Sequence, residues 1–178
     1  MENNRTALLV IDVQVGPMWG TYKRDETFGV IQHMIAKAEG EGVPIFYIQF
    51  EGPEKDLLAR GSQFWQFVPG INPRKEDFVI HKRAADSFFQ TELTQELQRH
   101  KITHLVVVGV RTEYCIDSTC RAALSLGFDV TLIADGHTTV DDNLPAEQVI
   151  QHHHNVLSSI STPERRIMVQ ASDEVEFY

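Results

Sequence analysis

Hydrophobic positions gather into six short, nearly continuous runs: TALLVIDV (6–13), PIFYIQF (44–50), DFVIHK (77–82), HLVVVGV (104–110), DVTLIA (129–134) and RIMVQA (166–171). Branched residues dominate them and polar residues seldom alternate, the pattern of strands buried on both faces. Helical spacing occupies four of the intervals, Glu26–Glu39, Thr91–His100, Cys115–Leu126 and Pro145–Ile160. This β-α-β alternation predicts an α/β fold, a mostly parallel six-stranded sheet with helices on both faces and right-handed crossovers.

Residues 51–76 break the rhythm with three prolines, three glycines and an aromatic cluster around Trp65. So long an excursion in a compact chain more often forms a lid or a binding segment than a passive connector. At 178 residues, 42% hydrophobic and 23% charged, the chain suits one globular domain over 1–178.

The formal charge of −9 leaves no basic face for phosphates, so nucleic acid is not an expected partner. No apolar run approaches the roughly 20 residues that span a bilayer, and the opening MENNR lacks a signal-peptide segment, which predicts no membrane partner and a cytoplasmic location. The two cysteines, Cys115 and Cys120, lie five residues apart and would point about 140° apart on a helix, so they do not pair. Unpaired thiols agree with a reducing compartment.

In open parallel sheets, ligands bind beyond the carboxyl ends of the strands. Three residues fall there: Asp12 closing the first run, Lys82 closing DFVIHK, and Cys115 after LVVVGV and the short turn RTEY. Along the following helix, Ile116, Thr119, Cys120, Ala123 and Leu124 form the stripe that faces the sheet, which places Cys120 in the core and Cys115 off it. At a helix start, free backbone N–H groups and the helix dipole favour a thiolate. A buried Asp12 needs compensation, and Lys82 beside Arg83 is either its partner or a solvent-facing strand end. Together they make a nucleophile, a base and a cation, with backbone N–H groups of the turn available to a developing oxyanion.

The stretches ALLVIDVQ, IHKRAADSFFQTEL and GVRTEYCIDSTCRAALSLGFDVTLIADGHTT, with the softer AEQVIQHHHNVL, resemble the isochorismatase-like cysteine hydrolases, a family that includes nicotinamidases and N-carbamoylsarcosine amidase. The resemblance implies a three-layer Rossmann-like fold and a catalytic Asp12, Lys82 and Cys115. It also implies a cis peptide between Val110 and Arg111 that aims the amides of Arg111 and Cys115 into an oxyanion hole. Nicotinamidases of the family carry an Asp-x-His metal motif after the second strand, where this chain reads QFEGPEK. No metal and no other cofactor is therefore expected. The histidines at 152–154 do not replace it, because consecutive helical residues diverge by about 100°. One of them should pack toward the sheet with Val149, Val156 and Ile160.

Aromatic residues of the loops, Trp19, Phe64, Trp65, Phe67, Phe88 and Tyr114, are expected as walls for a small planar substrate, with Arg111 or His137 holding its carboxylate or carbonyl. The leading expectation is a hydrolase that cleaves a small amide or carbamoyl C–N bond through a thioester. Vinyl-ether cleavage of the isochorismatase type and a non-catalytic binding module are the alternatives. The resemblance further implies a homo-oligomer, dimer or tetramer.

Overall fold

The computed structural model describes residues 5–177. Six strands, β1 (Thr6–Ile11), β2 (Ile45–Phe50), β3 (Phe78–Lys82), β4 (His104–Val110), β5 (Asp129–Thr138) and β6 (Ile167–Gln170), lie in the order β3-β2-β1-β4-β5-β6. Every pairing is parallel, so all carboxyl ends meet at one edge. The chain reverses direction across the sheet between β1 and β4, the point at which such sheets open a crevice.

Alternation along the strands divides the core in two. Leu8 and Val10 meet Ile31, Met34 and Ala38 of α1 (Arg24–Glu41) on one face. Ala7, Leu9 and Ile11 meet α2 (Leu93–Arg99), α3 (Asp117–Ser125) and α4 (Ala146–Ser158) on the other, through Leu93, Leu97, Cys120, Ala123, Leu124 and Leu157. The excursion over 51–76 forms no helix or long strand, yet it is not idle surface. Its Val68 and Ile71 join the core beneath α1, and Phe67 packs edge-on against Tyr47 at 5.9 Å.

Two boundaries differ from the sequence pattern, and both shape the site. β5 runs on to Thr138 through the polar DGHT, with a register slip opposite Val107 and Gly109. Gly136 permits it, since a Cβ there would stand 2.8 Å from Ile133 and 2.9 Å from Val108 side-chain carbons. The expected helix from Cys115 instead begins earlier as a π turn, Thr112–Ile116, in which Arg111 O accepts from both Tyr114 N and Ile116 N at 3.2 Å. Cys115 thus belongs to a wide turn and not to the first turn of a regular helix.

Candidate active site

Beyond Ile11 the chain turns sharply: Asp12 adopts a left-handed conformation (φ 52°), its amide donating to Ile48 O at 3.0 Å and its carbonyl accepting from Gln14 N at 2.7 Å. Left-handed geometry is tolerated by Asp better than by most residues, and it swings the carboxylate over the sheet edge. Gln14 locks the turn. Fully buried, its amide donates to Phe50 O (2.9 Å) and Trp65 O (2.7 Å) and accepts from Phe50 N (2.8 Å), fastening β1, β2 and the long loop together.

Lys82, the last residue of β3, enters from the other side with its side chain wholly buried. Its ammonium donates to Asp12 Oδ2 at 2.9 Å and to the carbonyls of Ala84 (3.1 Å) and Ala85 (2.9 Å). Three donors thereby meet three acceptors, which is what makes a buried lysine tolerable. The π turn brings the Cys115 thiol against this pair, where it interacts with both Asp12 and Lys82. The second carboxylate oxygen, Asp12 Oδ1, is buried without a donor in bonding geometry. Residues 12, 82 and 115 therefore converge on one point, and the Val110–Arg111 peptide that introduces the turn is cis.

Burial dominates the electrostatics. It raises Asp12 above the ordinary carboxylate range against the opposing pull of the Lys82 ammonium, making it a stronger base than an exposed aspartate. For Lys82, burial works against the charge, but the Asp12 carboxylate and the Cys115 sulfur outweigh it and hold the ammonium above the usual lysine value. Burial, reinforced by the Asp12 charge, pushes the Cys115 thiol up to about 12 despite Lys82. The thiolate expected from helix-start position is thus not the resting form. A protonated thiol sits beside a base of raised pKa, so the two are better matched for proton transfer than they would be in water.

A cavity of about 270 Å³ opens onto the thiol, lined by Asp12, Gly16, Pro17, Phe50, Leu58, Val110, Arg111, Tyr114 and Cys115. Gly16 lets this wall close tightly: a Cβ there would lie 2.7 Å from Leu58 Cδ2 and 3.2 Å from the Phe64 carbonyl. Of the residues expected at the substrate, Tyr114 and Arg111 reach this cavity. Trp19 does not: it is 70% exposed with its ring edge-on to Phe64. Trp65 contributes its carbonyl to the clamp while its ring stacks on His81 at 5.9 Å. Phe88 is a core residue stacked on Phe128 at 6.0 Å, its aromatic character satisfied by packing beneath α2 and α3. His137, which the extended β5 carries under the π turn, faces Thr112 and His154 instead of the cavity.

Walls the sequence did not indicate are Phe50, Leu58, Gly16 and Pro17. A glutamine two residues after an aspartate in an apolar run was the one signal that hinted at the clamp. The histidines of α4 diverge: His152 is exposed, His153 Nδ1 meets its own helix at Val149 O (2.8 Å), and His154 turns inward. Ile160, expected on the same inward side, is half-buried and packs against the core.

The model of the isochorismatase domain matches residues 6–162. Streptothricin hydrolase of Streptomyces noursei is 32% identical over 138 residues, which cover 76% of this chain and 50% of that protein. A ureidoacrylate amidohydrolase of Caulobacter segnis is 35% identical over 79 residues, 44% of this chain and 33% of its own length. The chain thus spans half or less of the length of these two named hydrolases. A crystal structure of an isochorismatase family protein superposes with a TM-score of 0.81 at 30% identity, covering 94% of this chain and 99% of the other.

Proposed function

For a chain that belongs to the isochorismatase family of hydrolases, we propose that it hydrolyses a small amide or carbamoyl C–N bond, with Cys115 as nucleophile, Asp12 as general base and acid, and Lys82 as the cation that holds both. The observation that carries this reading is the convergence of the three side chains: the Asp12 carboxylate, buried and held 2.9 Å from Lys82, interacts with the Cys115 thiol and lines the same cavity. The two named relatives, both hydrolases, one of them an amidohydrolase, support the bond type.

In the first half-reaction Cys115 Sγ attacks the carbonyl carbon as Asp12 takes the thiol proton. The oxyanion is met by the backbone N–H groups of Arg111 and Cys115, presented by the cis peptide and the π turn. The C–N bond then breaks, and the proton on Asp12 passes to the departing nitrogen, releasing ammonia or an amine and leaving a thioester. Water attacks the thioester carbon, Asp12 takes its proton and returns one to sulfur, and the acid leaves. A cavity of about 270 Å³ suits a substrate of a few heavy atoms in its reacting part.

Screening small carboxamides and ureides for ammonia release tests the bond type. Acid-quenching a turning-over sample and weighing the intact protein tests the intermediate: one acyl group should appear on the wild-type chain and none on Cys115→Ala. A Cys115→Ala variant with undiminished turnover would overturn the covalent mechanism.

A further inference from the structure

The end of β5 carries a second polar chain that the catalytic reading leaves unused. Thr112 Oγ1 lies 2.8 Å from His137 Nδ1, and His137 Nε2 lies 2.8 Å from His154 Nε2. Thr112 and His137 are buried, at 0% and 2% exposure, and His154 is half-buried on α4. Thr112 opens the π turn that carries Cys115 three residues later. Its neighbour Glu113 is tied to the same strand end, accepting from Thr139 Oγ1 at 2.8 Å. Consecutive residues of the turn are therefore fastened to His137 and Thr139 of one strand end.

The two facing Nε2 atoms, 2.8 Å apart, share one proton, so one of them donates and the other accepts. With His137 Nε2 as the donor, its Nδ1 accepts from the Thr112 hydroxyl; with it as the acceptor, its Nδ1–H donates to that hydroxyl instead. A proton on both Nε2 atoms would set N–H against N–H at 2.8 Å. Burial, with the nearby His154 and His153, pushes His137 down to about 3, which keeps that ring neutral.

We propose that His137 and His154 are positioning residues of the nucleophile turn: the polar chain from the Thr112 hydroxyl through both imidazoles fixes the π turn and thereby the Cys115 sulfur against Asp12. The catalytic part of this inference rests on the proposed role of Cys115, whereas the relay itself can be read without any substrate.

Two measurements decide it. Histidine ring ¹⁵N–¹H correlation spectra at pH 7 should show a proton on one of the two facing Nε2 atoms, of His137 or of His154, and not on the other. Protons on both Nε2 atoms, or on neither, would overturn the relay. Alkylation of Cys115 by iodoacetamide at pH 9 then reads the sulfur's placement. Thr112→Val, which removes the hydroxyl in nearly the same shape, should change that rate at least about fivefold, while Thr112→Ser should stay within about twofold of wild type. Equal rates for the Val and Ser variants would sink the positioning role. If Thr112→Val does not fold, His154→Leu takes its place against His154→Gln, whose amide can still hydrogen-bond His137. A failure of the hydrolase reading, seen as turnover by Cys115→Ala, leaves both measurements intact, so the two failures are distinguishable.

Discussion

Two ion pairs lie side by side at the same sheet edge and share almost everything except their surroundings. Lys82 and Arg83 are consecutive in sequence, and their partners, Asp12 and Glu51, follow the neighbouring strands β1 and β2. The inner pair stands at 2.9 Å with side-chain exposures of 0% for Lys82 and 2% for Asp12, the outer at 2.6 Å with Arg83 80% exposed. Distance alone would rank the outer pair as the stronger. Medium reverses the order, because water screens the exposed pair and both long side chains lose freedom in making it. The end of the strand is the cause: Lys82 closes β3 with its side chain in the dry site, whereas Arg83 already lies in the bend beyond it and carries its charge to solvent.

The largest difference is expected in turnover. Cys115→Ala and Asp12→Asn should each lower kcat by about 10³-fold or more, since each removes a member of a unit that acts together. Arg83→Met should leave kcat within about twofold of wild type, because an exposed rim charge makes no contact with the reacting atoms. A comparable loss in Arg83→Met would erase the functional distinction between the two pairs.

Stability should separate them next. Lys82→Met leaves the Asp12 carboxylate buried without its cation and is expected to cost about 3–5 kcal/mol in urea unfolding. Combining it with Asp12→Asn should cost less than the sum of the single changes, because the second substitution removes the charge that the first stranded. Strict additivity would show that the pair is not coupled, contrary to the 2.9 Å contact.

Much of this arrangement was legible in sequence because it follows from periodicity. Uninterrupted apolar runs gave a parallel sheet, and parallel strands put Asp12, Lys82 and the turn before Cys115 at one edge without any knowledge of loops. The stripe containing Cys120 was equally plain: Cys120 is fully buried, and its thiol too is pushed up to about 12 by burial. What stayed hidden depends on contacts between segments distant in the chain. Phe88 and Leu58 are both apolar residues in irregular segments, yet one packs on Phe128 while the other walls the cavity, and no local pattern separates them. His137 was misread for a related reason, since a polar DGHT looks like a strand end until Gly136 lets β5 continue. The thiol's pKa was misjudged because the helix-dipole argument is local, whereas desolvation is set by the whole fold.

The two carboxylates should also respond to pH with opposite sign. Burial raises Asp12 above its unfolded value of 3.8, so the folded state holds the proton more tightly; the stability this adds is present below 3.8 and is lost as pH rises through the higher folded value. Glu51 is held below its unfolded value of 4.5, first by the hydrogen bond from Arg83, so its contribution is present above 4.5 and fades as pH falls through the lower folded value. Urea midpoints from pH 3 to 7 should therefore show Asp12→Asn and Glu51→Gln diverging from wild type at opposite ends of the range. Parallel curves would mean that the inner carboxylate is not desolvated. Alkylation of Cys115 supplies the companion measurement: with a thiol at about 12, the rate should still be climbing at pH 10, where an exposed cysteine has levelled off.

The smallest effect belongs to the outer pair, and salt is the sharpest probe of it. Glu51 meets Arg83 at 2.6 Å and Arg60 at 3.9 Å, with both arginines largely exposed. Arg83→Met should cost about 0.2–1 kcal/mol at low ionic strength. At 1 M NaCl the screening length falls to about 3 Å, comparable to the contact itself, so that deficit should shrink toward zero. The Lys82→Met deficit should persist, because no salt enters a site where the side chains show 0% and 2% exposure. Urea unfolding of the two variants at 0.05 and 1 M NaCl makes the comparison directly. An Arg83→Met deficit that survives high salt would assign the outer pair an ordering role in the loop that begins at Glu51, and would show that exposure is the wrong measure of what separates these neighbours.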